Sequence, residues 1–526
     1  MEFLRKLPIG VQSFEKLRSE GFLYVDKTEN VYRLVQSGAP YFLSRPRRFG
    51  KSLFLSTLRA YWEGKKELFE GLAITELSKD DPKAFEPHPV LYFDLNMDNY
   101  REGKGILENV LDRHLVSWEE EYGIKAGSDT LAARFQKVLQ TAYEQTGKPV
   151  VVLVDEYDKC MLEVLTDKEL EEHNKAVFKG FFSTLKSYDR YLKFVFITGV
   201  TKFSKVSIFS DLNQLRDISM SEDYAGICGM TENEINDHLM PEVIRMAEKL
   251  KVSTEECRRQ LKEMYNGYCF SPGAERVYNP FSLLNALDEK SFRTYWFSTG
   301  TPGFLVKKIK DVDFDPKTFT DGTLYADESS LSDYRADNPD PVPLLYQTGY
   351  LTIVDYDARR RRFTLGYPND EVKYGLLESL APAYLYDTKG RTGKDIFTLD
   401  EHIETGDLEG IHSTLTSLYA QLPYTTDDKP MEQDFQNVLY IVFTMLGRYV
   451  KTEVHSSHGR ADVIVETDDY IYIFEFKRDK SADEALQQIE DKGYAIPYAA
   501  DPRTLYKIGV NFNSETRELD GWKVAT

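Results

Sequence analysis

Cysteine is scarce: the 526 residues hold 4, at Cys160, Cys228, Cys257 and Cys269, with no CxxC pair. That spacing argues against a disulfide framework and against a structural zinc, and it points to a reducing, cytoplasmic setting. Long apolar runs are missing as well. The longest, such as Val150–Val154, have the length of a strand, far short of the ~20 residues that cross a bilayer. The N-terminus MEFLRKLPIG has no apolar run followed by a small-residue cleavage site, so neither secretion nor a membrane partner is expected. Positive charge is in deficit, since 66 Lys+Arg against 86 Asp+Glu leave a net charge of -20. A general basic footprint that coats nucleic acid is thereby excluded, whereas a local basic groove is not. No repeat or low-complexity tract stands out.

What is present suits several packed cores. Hydrophobic residues make up 41% of the chain, which is too rich for a disordered protein. At roughly 100–200 residues per domain, three or four domains are expected. Up to about residue 230, short apolar runs alternate with helix-length segments. Tyr41–Leu43, Val90–Phe93, Val150–Val154 and Phe194–Ile197 read as strands. Their lack of polar alternation is what a parallel sheet covered on both faces requires. Thr231-Glu232-Asn233-Glu234 is a capping box that opens a helical stretch to about Leu287. The segment 311–343, rich in Asp, Ser and Pro, reads as a long linker. Tyr350–Val354 and Arg362–Leu365 follow as a hairpin. A boundary falls near Lys389–Lys394, and the final ~125 residues read helix, helix, strand, strand, helix, strand.

Two strand ends carry chemistry in the first region. Tyr41–Leu43 leads into Ser44-Arg45-Pro46-Arg47-Arg48-Phe49-Gly50-Lys51-Ser52, and a helical stretch to Trp62 follows. Strand, loop and helix aim backbone N–H groups at a phosphate. Lys51, read as an exposed loop lysine, would reach the β- and γ-phosphates of ATP, and the Ser52 hydroxyl would ligate Mg²⁺. The usual pattern is GxxxxGK[ST]. Here Arg45 stands where the first glycine belongs, and an arginine makes a glycine turn only at a cost. The alternative is a plain turn before an exposed helix. The run Val150–Val154 ends in Asp155-Glu156, which delivers two carboxylates to the sheet edge where ligands bind. Asp155 would hold Mg²⁺, directly or through water, and Glu156 would polarise the attacking water. Thr198, or failing it Thr201, would sense the γ-phosphate from the end of the next strand.

A second constellation lies near the C-terminus. Strand period is two, so Glu475 and Lys477 project from one face of Tyr470–Lys477, after Ile471 and Ile473. A carboxylate and an ammonium ending a buried face need a reason. Asp462, on the preceding strand, and Glu475 would share Mg²⁺, while Lys477 would orient water and stabilise charge developing at phosphorus. A half-exposed strand bearing a Glu–Lys pair is the alternative. His455 and His458 lie close by in sequence and read either as metal ligands or, more commonly, as surface groups. Arg359–Arg362 sits at the tip of the expected hairpin. It reads as a wing whose arginines contact the phosphates of DNA or RNA, or else as a solubilising turn.

YVDKT (Tyr24–Thr28), RPRRFGKS (Arg45–Ser52), LFEGL (Leu68–Leu72), VVLVDEYD (Val151–Asp158), FSDLNQLRDIS (Phe209–Ser219) and YNGYCF (Tyr265–Phe270) resemble the bacterial AAA-ATPase-like family. In that family a PD-(D/E)xK nuclease-superfamily domain follows the ATPase. The resemblance makes RPRRFGKS a family form of the phosphate loop. It implies ATP binding by Gly50, Lys51 and Ser52, with Asp155 and Glu156 as the Walker B acids. It also implies phosphate contact by Arg47 or Arg48, in cis or across a subunit interface of an oligomer. Asp462, Glu475 and Lys477 match the PD-(D/E)xK motif; Glu432 matches its first-helix acid, and Gln488 with Tyr494 a later element.

The fold class implied is α/β. A P-loop NTPase domain (1–230) has a helical lid (231–300), a winged-helix-like middle domain follows (301–395), and an α/β PD-(D/E)xK nuclease-like domain closes the chain (396–526). The function implied is an ATP-hydrolysing protein coupled to a Mg²⁺-dependent nuclease. The alternative is a nucleotide-dependent switch or scaffold whose nuclease fold does not cut.

Overall fold

The computed structural model describes residues 6–125, 129–203, 215–297, 303–312, 316–320, 322–332, 340–384, 392–420, 428–447, 451–454, 461–516 and 518–526. The chain divides into two compact units, 1–300 with 325–372, and 301–324 with 373–526.

The first unit is organised by a parallel sheet of β1 (Tyr41–Ser44), β2 (Val90–Asp94), β3 (Val150–Asp155), β4 (Leu192–Gly199) and β5 (Arg216–Asp217), in the order β2-β3-β4-β1-β5. Every residue of β3 is buried, which explains its unbroken apolar run. Helices Ile106–Glu121, Leu131–Thr146 and Lys168–Phe182 supply an aromatic cluster over β2. There Trp118, Phe135, Phe181 and Phe182 surround Phe93 with ring centroids 4.8–5.6 Å away. The strand order sets β4 between β1 and β3, pairing Leu43 with Thr198 and Val154 with Ile197. The C-terminal ends of the three strands therefore open at one edge, with Thr198 between the loop after β1 and the acids after β3.

The Thr231 capping box forms as expected, with the Glu234 side chain bonded back to the Thr231 N–H. Helices Glu232–His238, Met240–Leu250, Thr254–Tyr265 and Pro280–Glu289 then close around Ile235, Val243, Met246, Leu261 and Leu283.

The expected linker is not one. Among the described residues, 311–343 contains a 3₁₀ turn (Pro316–Phe319), β6 (Tyr325–Asp327) and a helix (Glu328–Ser332). Around the second of these, Asp and Ser act as capping groups: the Asp327 carboxylate accepts from Ser330 N–H at 2.8 Å and from the Ser329 hydroxyl at 2.7 Å. The hairpin is present as β7 (Thr352–Asp357) and β8 (Arg362–Gly366), and β6 pairs with β8 to give the order β6-β8-β7. Helix Val342–Thr348 lies directly ahead of β7.

In the second unit, a sheet of β9 (Lys451–Val454), β10 (Val463–Glu466), β11 (Tyr470–Arg478), β12 (Thr504–Asn513) and β13 (Glu518–Ala525) has the order β13-β12-β11-β10-β9. β11 and β12 are parallel and the other pairs antiparallel. The sequence pattern misses β9 and β13 because both are polar edge strands, lacking the apolar run that marks a central one. Phe474 and Phe476 face the helix Asp428–Leu446 through Phe443, while Ile473 packs with Ile489 of helix Ala482–Lys492 on the other face. Among the described residues, no helix is long and apolar enough to cross a membrane.

Candidate functional site

The loop after β1 does not turn at Arg45. Its left-handed residues are Arg48 (φ 66°) and Gly50 (φ 94°), the latter capping helix Lys51–Trp62. Arg45 instead enters the core at 1% exposure. Its guanidinium donates to the carbonyls of Ser44 (2.9 Å), Ser219 (2.7 Å) and Tyr224 (3.0 Å) and lies 4.0 Å from the Phe270 ring centroid. The loop thus gains a buried anchor where other phosphate loops have a glycine. Phe49 is a second anchor, edge-on to Tyr268 at 4.7 Å.

Lys51 is not the exposed lysine that its place in a loop suggests. It is 5% exposed, and its ammonium donates to the carbonyls of Arg45 (3.0 Å) and Pro46 (3.1 Å). Ser52 follows in the first helical turn. Lys51, Ser52, Gly50, Arg47, Arg48 and Glu156 line one cavity of about 380 Å³. Asn96 and Lys159 extend its polar side, and Leu23, Val25, Met230 and Leu284 form an aliphatic side. This size and mixture suit a nucleotide.

Behind Glu156 lies a buried polar layer. Asp155 is 4% exposed; its Oδ1 accepts from the Thr198 hydroxyl (2.6 Å) and the Glu156 N–H (3.1 Å), and its Oδ2 from the Tyr92 hydroxyl (3.2 Å). With both oxygens engaged, Asp155 fits a Mg²⁺ ion held through water better than one bound directly. Thr198 orients Asp155. Thr201 does not face the cavity; its hydroxyl donates to Asp158 at 2.7 Å. Glu156 takes a left-handed backbone (φ 49°), a costly conformation for a side chain with a Cβ. Burial pushes its carboxyl up, while the charge of Lys51, and more weakly that of Arg47, holds it down.

Sequence reasoning overlooks Asp158. This buried carboxylate accepts from the N–H groups of Val200 (3.0 Å) and Thr201 (2.6 Å), tying the end of β3 to the end of β4. Burial raises its carboxyl, and these bonds oppose the rise. The signal was Gly199: a Cβ there would lie 2.7 Å from Asp158 Oδ1 and from the Tyr157 ring. Trp296 was overlooked too. Its indole N–H donates to the Arg47 carbonyl at 3.2 Å, and its own N–H donates to the buried Glu371 at 2.7 Å.

In the second unit, Asp462, Glu475, Lys477 and Gln488 come together. Glu475 is 1% exposed; its Oε1 accepts from the Lys477 ammonium at 2.7 Å and from the Gln488 amide. Asp462 Oδ2 accepts from the Phe476 N–H at 2.8 Å. Burial raises the Glu475 carboxyl, and the charge of Asp462 adds to the rise, against Lys477. Glu475 Oε2 is buried with no hydrogen-bond partner among the described residues. An orphaned carboxylate oxygen near a second carboxylate fits a divalent cation with hard oxygen ligands. No cluster of three or more His, Cys, Asp or Glu is found among the described residues. Glu432 lies on helix Asp428–Leu446, but its side chain, like His455 and His458, falls outside the described residues.

Comparison with known proteins adds three findings. Residues 8–209 match the family described as predicted AAA-ATPase. Residues 430–522 match the PD-(D/E)XK nuclease superfamily. A protein of Azotobacter chroococcum mcd 1, described as an uncharacterized protein in the vnfD 5'region, is 36% identical over 534 residues, spanning 99% of each chain.

Proposed function

The chain belongs to the family of predicted AAA-ATPases that carry a C-terminal PD-(D/E)XK nuclease-superfamily domain, and from that premise we propose that it binds and hydrolyses ATP to control a Mg²⁺-dependent nuclease. The observation that carries the ATPase part is the shared cavity of Lys51, Ser52 and Glu156 at the open edge of the parallel sheet. Gly50 and the first helical turn point N–H groups at the phosphates. Lys51 exchanges loop carbonyls for phosphate oxygens. Glu156, with its proton affinity raised by burial, takes a proton from water. Ser52 and, through water, Asp155 would hold Mg²⁺, which would supply charge neutralisation beside the phosphates. The aliphatic side of the cavity suits the base.

In the second unit, Asp462 and Glu475 would hold the divalent ion, whose Lewis acidity the reaction on a phosphodiester uses. Lys477 orients water and balances charge at phosphorus, and Gln488 fixes the Glu475 carboxylate. Arg359 and Arg361, exposed at the hairpin tip, are suited to phosphate contact. Arg360 is paired with Asp357 at 2.8 Å and Arg362 stacks on Tyr325 at 3.8 Å. Helix Val342–Thr348, which could otherwise read bases, is largely buried, so nucleic acid would be held without regard to sequence.

The test is calorimetry with ATP on wild type and Lys51→Ala, then cleavage of labelled DNA and RNA with and without ATP and Mg²⁺. ATP binding that Lys51→Ala leaves unchanged would sink the nucleotide assignment. The second reading, a switch with a silent nuclease fold, draws on the net charge of -20, which repels a polyanionic substrate. Divalent-ion binding without cleavage of any strand would favour it.

A further inference from the structure

The three arginines of the phosphate loop have three different fates. Arg45 is spent in the core, on three carbonyls and the Phe270 ring. Arg48 holds its guanidinium 5.0 Å from the Phe281 ring centroid. Arg47 is exposed, lines the cavity that Lys51 and Glu156 share, and makes no ion pair among the described residues. Its charge is felt at Glu156, where it opposes the rise caused by burial.

The backbone that carries Arg47 is clamped. Its carbonyl accepts the Trp296 indole N–H at 3.2 Å, and Glu371 holds the Trp296 backbone at 2.7 Å. One residue earlier, Pro46 lies so close to Gly349 that a Cβ there would be 2.7 Å from the proline ring. A side chain on a fixed backbone loses less entropy when it engages a ligand. A free guanidinium beside the general base, on a fixed loop, is what a phosphoryl-transfer site needs at the γ-phosphate.

We propose that Arg47 supplies, from within the same chain, the cation that neutralises the γ-phosphoryl group in the transition state, so that hydrolysis needs no arginine from a second copy. This rests on the ATPase reading above. In the step, a water oxygen bonds to the γ-phosphorus while its proton passes to Glu156. The bond from that phosphorus to the β,γ-bridging oxygen breaks, and the electron pair leaves with ADP. Arg47 faces the γ-phosphoryl oxygens as negative charge spreads over them.

The experiment mixes two variants. Arg47→Ala is expected to keep ATP affinity within a few-fold and to lose turnover by about 10³-fold, the usual effect of removing such an arginine. Lys51→Ala is expected to bind no ATP. Mixed in equal amounts, the two should stay as inactive as they are apart, and wild-type turnover per chain should not change on dilution. Trp296→Phe, which keeps an aromatic ring but loses the indole N–H, should lower kcat while leaving KM near the wild-type value. Activity restored by mixing would overturn the proposal, because a second copy would then be lending its arginine. So would an Arg47→Ala variant as fast as wild type, or one that loses binding and turnover together. A wild type that binds no ATP would instead overturn the ATPase reading itself, and this proposal with it.

Discussion

The Lys477 ammonium lies 2.7 Å from Glu475 Oε1, on a carboxylate whose other oxygen is buried without a partner among the described residues. One oxygen is thus neutralised while the other remains for a cation. Lys477→Ala should keep the fold, because the side chain ends at the rim of the site and leaves the apolar face intact. Any divalent-dependent cleavage should fall by about 10²-fold or more, the scale for losing one electrostatic stabiliser. Cleavage of labelled DNA and RNA checks this, with circular dichroism as the control for folding. Undiminished cutting would remove Lys477 from the chemistry.

Glu156→Gln should bind ATP as tightly as wild type and hydrolyse it about 10²–10⁴-fold more slowly. The amide fills the same space but takes no proton from water. Single-turnover kinetics separates the two effects, and equal turnover would exclude Glu156 as the base.

Gly349→Ala lies far from the loop in sequence and against it in space. Gly349 has φ 91°, and an added Cβ would meet Pro46 at 2.7 Å. The backbone strain alone costs about 1–2 kcal/mol, and overpacking adds about 1–3 kcal/mol. The loop is expected to shift and ATP affinity to fall. Thermal unfolding and calorimetry check this. A variant that is destabilised yet binds ATP normally would show that the contact between Gly349 and Pro46 does not position the loop.

Glu371 predicts a pH dependence. It is fully buried, and burial pushes its carboxyl up to about 7, against the hydrogen bond from the Trp296 N–H. Its folded value exceeds the ordinary 4.5, so between them the folded state binds more protons than the unfolded state. Stability should therefore fall as pH rises from about 4.5 to 7, by up to about 3 kcal/mol, and level off above that. Glu371→Gln keeps an acceptor for the Trp296 N–H and should remove this component. Denaturant unfolding at pH 5 and pH 8 tests it. A gap between wild type and variant that is the same at both pH values would count against it.

What was legible in the sequence was local. A strand followed by Gly50-Lys51-Ser52, a buried run ending in Asp155-Glu156, and Glu475 with Lys477 two residues apart are short patterns whose geometry follows from strand and helix periods. Arg45, Asp158, Trp296 and Glu371 were opaque for the opposite reason. Each acts through a partner distant in sequence, as with Trp296 and Arg47, and only the assembled fold brings the pair together. Composition misled once: the Asp and Ser residues near Asp327 resemble linker residues because capping groups and loop groups are the same chemistry put to different use.

The first unit is threaded from two stretches of chain, 1–300 and 325–372, with the interval between them given to the other unit. Heredity feels this. A premature stop after residue 300, or a single crossover there, would leave Trp296 without Glu371 and Pro46 without Gly349. No single cut releases the first unit whole, so gene shuffling has no simple way to lend it to another partner. A split that left either stretch behind would break the first unit, and the similarity to the Azotobacter relative runs unbroken along 99% of both lengths.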